Sequence, residues 1–309
     1  MSFMNTFSSN MKLKGSLSIF FSASLWGLFW IPLRYFDEVG VYSLWAVACI
    51  NFAASLIAIP VALKFGDFKR EQLKWIIIMG LGMGAANIFY FAGIILSDVV
   101  RVIFLFYLLP IWATLFSKFL FNIPIGKIRM IAIGLAIGGI WLLLGAGGWP
   151  IPQNIGDVFG ILAGMFWALG LTLMRGRSEL DAYTVSASAL FFAFVMAVIL
   201  GAIMHSLVPH LQQAAPDINT ISIIAFPVLA FGILILWPTM VGQLWGAKYV
   251  VATTAALLTM SEILVATAST ALLGASNLNW ISWLGAGFIL CAVLVDLFAG
   301  QEAQIEANP

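Results

Sequence analysis

Charged residues, histidines and cysteines are all scarce in this sequence. Asp, Glu, Lys and Arg together make up 9% of its 309 residues, whereas soluble domains contain roughly 25%. The 2 cysteines, Cys49 and Cys291, lie within apolar runs that place no second Cys or His at ligand spacing. This scarcity argues against a soluble domain, a disulfide framework and a zinc site.

Motifs for nucleotides, nucleic acids and enzymatic chemistry are also lacking. The net charge is only +1 and the 14 Lys and Arg residues are dispersed, whereas phosphate binding requires a concentrated basic face. The glycines of segment 80–84 resemble a dinucleotide-binding loop, but they lie inside an apolar run with no strand before it. No nucleophile with a placed base is recognisable. We therefore expect no cofactor, no metal, no nucleotide or nucleic-acid partner and no catalytic activity.

The sequence instead contains long apolar runs. Hydrophobic residues make up 62% of the chain, and a membrane-spanning helix needs roughly 20 consecutive apolar residues. Ten apolar runs predict ten spanning helices, and no cleavage pattern follows the first run, so it should be retained as helix 1. The predicted helices extend from Gly15 to Leu33, Tyr42 to Leu63, Trp75 to Leu96, Val102 to Phe121, Met130 to Gly145, Gly156 to Met174, Thr184 to Ser206, Ile221 to Gly242, Val251 to Leu273, and Trp280 to Ala299.

The positive charges assign an orientation to these helices. With ten spans, all but two of the 14 Lys and Arg residues fall on the side that holds both chain ends, and the exceptions are Arg34 and Arg101. Cytoplasmic loops retain Lys and Arg. We therefore expect a multi-pass protein of a bacterial-type inner membrane with both termini in the cytoplasm. One span more or fewer in the middle of the chain would scramble this asymmetry.

An internal repeat relates the two halves of the chain. Helices 1 and 2 match helices 6 and 7 at an offset of 141, and helices 3 and 4 match helices 8 and 9 at an offset of 153. The matching residues are Trp26, Arg34 and Tyr42 with Trp167, Arg175 and Tyr183, then Gly93, Ala113 and Thr114 with Gly246, Ala266 and Thr267. The change in offset places an insertion in the loop between helices 7 and 8, His205 to Thr220.

Because each half has an odd number of helices, the second half must enter the membrane from the opposite side. The expected fold is therefore all-α, with ten transmembrane helices in two five-helix inverted-topology repeats, an arrangement that many secondary transporters use for alternating access. The expected divisions are a cytoplasmic N-terminus at 1–14, repeats at 15–145 and 156–299, a linker at 146–155 and a cytoplasmic tail at 300–309.

Four short motifs resemble the drug/metabolite transporter superfamily, EamA branch, over essentially the whole chain. They are Ser24-Leu25-Trp26-Gly27, Gly164-Met165-Phe166-Trp167-Ala168, Leu108-Leu109-Pro110-Ile111-Trp112-Ala113 and Ser261-Glu262-Ile263-Leu264-Val265-Ala266. The family usually has Glu-Pro in helix 9, where this chain has Ile263 after Glu262, which puts a proline kink there in doubt. The resemblance implies transport of amino acids, other metabolites or drugs, often outward. In length and tryptophan content the chain is most similar to the aromatic-amino-acid exporters.

Glu262 is the central ionisable residue of a predicted span. A charge at this depth costs roughly 2.5–3.5 kcal/mol on insertion scales, so it normally faces a cavity or a partner. Three roles are open for it: a contact for a substrate ammonium group, a carboxyl that couples transport to protons, or a structural group that stabilises helix 9 in the bundle. Other deep polar and aromatic residues either line the same cavity or pack between helices. These further cavity candidates are Asn87, Tyr90, Trp26, Trp167, Trp112, Tyr107, Asn51 and Gln243.

Glycines and prolines indicate where helices approach closely or bend. Glycines spaced by four lie on one helical face and permit close backbone contact. This predicts helix packing at Gly80, Gly84, Gly134, Gly138, Gly156, Gly160 and Gly164. Prolines within spans remove backbone hydrogen bonds and predict kinks, which serve gating or are fixed. The prolines concerned are Pro110, Pro227 and Pro238.

The sequence thus favours a secondary transporter, most consistent with the export of amino acids, aromatic ones included. Export or import of another metabolite or drug is the first alternative, and a non-transporting membrane scaffold or receptor is the second. The expected partners are a small-molecule substrate and the lipid bilayer. Glycine faces serve equally within one chain or between two, so the oligomeric state stays open, with a monomer as the working expectation.

Overall fold

The computed structural model is all-helical over the residues it describes, which are 2–41, 43–67, 69–143, 151–207, 215–273 and 280–306. Nine helical segments within this part are long and apolar enough to cross a membrane. The remaining predicted span is the helix Lys127–Leu143, which ends where the described residues end.

We number the ten spans α1 to α10. They are α1a Ser2–Trp26 and α1b Trp30–Glu38, α2 Ser43–Phe65, α3 Leu73–Leu96, α4a Val99–Phe106 and α4b Leu109–Phe121, α5 Lys127–Leu143, α6 Ile155–Gly176, α7 Ala182–Leu207, α8a Ile218–Phe231 and α8b Trp237–Ala247, α9a Ala252–Thr259 and α9b Ser261–Leu272, and α10 Trp280–Glu306.

The predicted first and last spans were too short. The first span begins well before Gly15 and continues past Leu33 to Glu38, because its helix extends beyond the apolar run that marks the span. The last helix continues past Ala299 to Glu306. Other predictions fall at least partly outside the described residues: the linker 146–155, the insertion in 205–220 and the tail 300–309.

Four spans are interrupted near the middle of the membrane. The first breaks at 27–29, the fourth at Tyr107 and Leu108, and the ninth at Met260, while α8 contains a π-helical stretch, Gly232–Leu236. In α9 the break at Met260 occurs without a proline. The substitution by Ile263 therefore does not remove the interruption.

The three prolines predicted to kink their helices lie at different positions within those helices. Pro110 lies in the first turn of α4b, directly after the break, and Pro238 lies in the first turn of α8b after the π-helical stretch. Proline fits a first helical turn because its missing N–H has no partner there. Pro227 instead lies inside α8a. All three prolines thus lie at or near helix irregularities, and any role in gating stays a prediction.

The arrangement of helices has an approximate two-fold symmetry. The breaks at Tyr107 and Met260 are separated by 153 residues, the same offset that relates Ala113 to Ala266. The helix pairs in contact also correspond: α1 packs on α8 as α6 packs on α3, and α1 packs on α9 as α6 packs on α4. Equivalent helices pair with one another in α2–α7, α4–α9 and α5–α10. This pattern is that of an inverted repeat.

Close helix contacts use most of the predicted glycines. Gly80 and Gly84 lie against Ser188 and Ala193 of α7. Gly156, Gly160 and Gly164 form one face of α6, which lies directly on the backbone of the segment from Gly93 to Phe106. Methyl groups on this face would overlap backbone atoms, so the face requires glycine.

Gly134 and Gly138, also predicted to pack, lie in open space within the described part of the chain. A Cβ built on either residue meets nothing within 4 Å among the described residues. The contact between α5 and α10 instead uses Gly139, whose added Cβ would lie 2.7 Å from the Gly285 carbonyl oxygen. Gly134 and Gly138 are spaced by four as predicted, but they lie on a different face of α5 from the one that packs against α10.

Gly164→Ala and Gly138→Ala make a matched pair that tests this assignment. We expect Gly164→Ala to lower stability by about 1–3 kcal/mol, because its methyl group would overlap the backbone of Phe106. Gly138→Ala should leave stability unchanged or raise it by up to about 1 kcal/mol, since alanine favours helix. Thermal unfolding of the two purified variants measures the difference, and equal losses would contradict it.

An ion-pair network lies at the start of α4 and α6, on the side opposite the chain ends. The Arg101 guanidinium donates to the Asp157 carboxylate over 2.5 Å and to the Ile151 carbonyl over 2.6 Å. Ser97 also donates to Asp157, whose side chain is completely buried. Arg101, one of the two cations on this side, is thus bound by a buried carboxylate.

Candidate functional site

A central cavity of about 240 Å³ lies between the two halves of the molecule. Helices α1, α3, α4, α6, α8 and α9 form its walls. The other four helices pair as α2–α7 and α5–α10 and do not line it. Its lining residues are Trp26, Gly27, Phe29, Trp30, Leu33, Ala86, Asn87, Tyr90, Phe91, Ile94, Val99, Ile103, Phe106, Trp167, Gln243, Thr259, Glu262 and Ala266.

The cavity extends toward the side opposite the chain ends. Its lining runs from Glu262 and Trp167, in the middle of their spans, to Leu33 and Val99 at the far side. Val99 is exposed. The cavity therefore approaches that face of the membrane.

The side that holds the chain ends is packed shut. Gly15 lies against Gly246, where an added Cβ would be 3.0 Å from the Gly246 carbonyl oxygen. Across α4b and α9a, the hydroxyls of Thr114 and Thr253 are hydrogen-bonded at 2.8 Å. The structure thus has one open and one closed side, as expected of one state of a protein with two alternating openings.

Glu262 lies in the first turn of α9b, immediately after the break at Met260. The N-terminal end of a helix is electrically positive, which favours a carboxylate there. The hydroxyls of Tyr90 and Tyr107 lie near enough to interact with this carboxyl. Among the described residues that line the cavity, Glu262 is the one Asp, Glu, Lys, Arg or His.

Three further polar groups in the cavity wall have no hydrogen-bond partner in the described part of the chain. They are the Asn87 Oδ1, the Gln243 Oε1 and the Trp167 Nε1. Their side chains are at least nine-tenths buried. Buried polar groups are normally satisfied, and leaving one unpaired costs roughly 1–3 kcal/mol. Groups of this kind facing a cavity are suited to bind what enters it.

Aromatic rings form the apolar part of the wall. The Trp26 ring stacks on Phe29 at 5.4 Å and lies 6.0 Å from its repeat partner Trp167. The Trp26 Nε1 donates to the Thr239 hydroxyl over 2.9 Å, which holds the ring in position. Trp30 lines the same cavity and donates to the Ser269 hydroxyl. Such rings accommodate an apolar or aromatic group, or a cation over a ring face.

The structure brings most of the sequence-predicted cavity residues together. Glu262, Asn87, Tyr90, Trp26, Trp167 and Gln243 all line the central cavity. Asn51, Trp112 and Tyr107 do not line it. Asn51 donates to the Val47 carbonyl of its own helix and is 1% exposed. Trp112 packs against the hydrophobic core, and Tyr107 is buried at the break in α4, behind Glu262.

Several lining aromatics were missed in the sequence. Phe29 and Trp30 follow Trp26 by three and four residues, and Phe91 follows Asn87 by four. Helical neighbours at these spacings share a face. Once one residue of a helix is assigned to the cavity, this periodicity identifies the others.

Comparisons with known proteins agree with this architecture. A family model described as the EamA-like transporter family matches residues 13–145 and again residues 154–297. A solved structure described only as "Crystal structure of protein" superposes with a TM-score of 0.73 at 18% identity, covering 92% of this chain and 96% of that one. At that identity the likeness shows the fold alone. Comparison with curated proteins gives no match.

Proposed function

The chain belongs to the EamA-like transporter family, and from that premise we propose that it is a secondary transporter that exports small organic amines, amino acids among them, by alternating access. The observation that carries this proposal is the central cavity between the repeats, open toward one side and packed shut at the other. A membrane scaffold or receptor needs neither this cavity nor a carboxyl group within it.

The site supports recognition of an amine with an apolar side group. Glu262 offers a negative charge in a site poor in water, where a charge-assisted hydrogen bond is stronger than at the surface. Trp26, Trp167 and Phe91 offer ring surfaces for the rest of the molecule. Aromatic amino acids fit this description, in keeping with the resemblance in tryptophan content.

Transport in reconstituted liposomes tests the proposal. We expect counterflow of labelled phenylalanine, tryptophan or a related amine into liposomes preloaded with the same compound, and none into protein-free liposomes. The panel should include threonine and a metabolite without an amino group as the alternatives. Failure of every compound in a broad panel to exchange would favour a scaffold or receptor.

Cysteine labelling in intact cells tests the orientation. In a Cys49→Ser, Cys291→Ser background, Val99→Cys should react with a membrane-impermeant maleimide, because Val99 is exposed on the open side. Lys127→Cys, exposed at the start of α5, should react only after the cells are permeabilised, since Lys-rich loops remain in the cytoplasm. The reverse pattern would place both termini outside and contradict our proposed orientation.

A further inference from the structure

The fixed charges around the central cavity are not balanced. Glu262 is negatively charged when ionised, and none of the described lining residues is Lys, Arg or His. An amino acid carries both an ammonium and a carboxylate. The cavity therefore has a charged partner for the first group but no cationic side chain for the second.

A helix N-terminus could replace a cationic side chain, as in transporters whose broken helices point at an anionic substrate group. Three half-helices begin at or near this cavity: α1b, α4b and α9b. At the start of α1b the backbone N–H groups of Phe29 and Ile31 already donate to the Trp26 and Leu28 carbonyls, and Pro32 has none.

In α9b the first turn already contains Glu262, whose carboxylate occupies the favourable position and repels a second anion. In α4b the first turn contains Pro110, which has no backbone N–H to donate.

Two of the three unpaired polar groups are acceptors that suit an ammonium, whereas the Trp167 Nε1 is a single neutral donor. A primary ammonium has three N–H donors. Three side chains that line the cavity contain acceptor oxygens: Glu262, Asn87 with its Oδ1 and Gln243 with its Oε1. The two amide oxygens are buried and unpaired within the described structure, so side-chain movement must bring them to the cavity surface before they bind an ammonium. An ammonium bound by them would satisfy groups that otherwise have no partner.

We propose that the central cavity selects primary amines that join an apolar or aromatic group to an ammonium and lack a carboxylate. This rests on the proposed function, because it assigns the cavity as the substrate site. The same aromatic group should bind more weakly when it also carries a carboxylate, since that charge would be desolvated without a partner. The substrate class is then apolar monoamines, with free amino acids as poorer ligands.

Equilibrium binding with matched ligands tests the selectivity directly. Calorimetry on the full chain in lipid nanodiscs would compare phenylalanine with phenylalaninamide and 2-phenylethylamine. Phenylalaninamide has nearly the shape of phenylalanine but no carboxylate, so the comparison separates charge from size. We expect both amines to bind roughly 10- to 100-fold more tightly than phenylalanine, in line with the cost of an unpaired buried charge. Equal or tighter binding of phenylalanine would overturn the inference.

Replacing the Glu262 carboxyl tests whether this group causes the selectivity. Glu262→Gln keeps the shape of the side chain, and should weaken phenylalaninamide binding about tenfold or more while changing phenylalanine binding much less. Glu71→Gln, which removes an exposed carboxyl outside the cavity, is the matched control and should leave both affinities unchanged. Unaltered selectivity in Glu262→Gln would overturn the assignment.

Flux measurements separate this inference from the proposed function. Selective amine binding without counterflow of any ligand would support the inference and contradict transport. Counterflow of phenylalanine at least as fast as that of phenylalaninamide, with equal affinities, would support transport and contradict the inference. Absence of binding by all three ligands would overturn the inference as well.

Discussion

Replacing Arg101 with Gln is expected to lower the free energy of unfolding by about 3–5 kcal/mol, the usual cost of breaking a buried ion pair from one side. The cost arises at Asp157, which is completely buried and would be left without its cationic partner. Its remaining donors, the Ser97 hydroxyl and the Gln153 backbone N–H, hydrogen-bond to the carboxylate but do not neutralise it. Reversible unfolding in mixed micelles, or the midpoint of thermal unfolding, measures the loss.

The chain supplies a matched control for this prediction. Arg34 also forms an ion pair on the side opposite the chain ends, but both it and its partner Glu38 are 64% exposed. Arg34→Gln should therefore change stability by no more than about 1 kcal/mol. The double variant Arg101→Gln, Asp157→Asn removes both buried charges and should regain part of the loss. Equal losses in the two single arginine variants would show that burial does not strengthen the Arg101 pair.

The spans were predictable because the membrane imposes one strong rule. Backbone groups in lipid must be satisfied internally, so apolar length alone identifies a helix. Prolines indicated two of the irregularities, since Pro110 follows the break at Tyr107 and Pro238 follows the π-helical stretch. The break at Met260 has no proline, and the Ser261 hydroxyl beside it donates to the Phe20 carbonyl of α1. A tertiary contact of this kind has no distinct residue pattern.

The candidate site was predictable where a residue type is costly in a membrane. Glu262, Asn87 and Gln243 are polar at depth, and each lies at the cavity. Asn51 has the same property but lies away from the cavity, where its Nδ2 donates to the Val47 carbonyl of its own helix, and no spacing pattern reveals this. Apolar lining residues such as Phe106 cannot be identified from the sequence, because an aromatic ring packs equally well against lipid, another helix or a cavity.

The hydrogen bond between Thr114 and Thr253 marks where the closed side must open if access alternates. It joins α4b to α9a between the central cavity and the side that holds the chain ends, and both residues are buried. The two hydroxyl oxygens are 2.8 Å apart, which makes these positions candidates for a cysteine pair, and a disulfide forms there where the Cβ atoms can approach to about 3.5–4.5 Å. A covalent link here would hold the two halves in the observed state.

We therefore expect the Thr114→Cys, Thr253→Cys protein, in a Cys49→Ser, Cys291→Ser background, to lose nearly all counterflow after oxidation. A reductant should restore it, since the link blocks the opening but leaves the central cavity intact. Ligand binding from the open side should survive oxidation, which distinguishes a locked protein from a damaged one. Each single cysteine variant should exchange substrate equally well with and without oxidant. If mass spectrometry shows the link to be complete while counterflow continues unchanged, the path does not open between α4b and α9a.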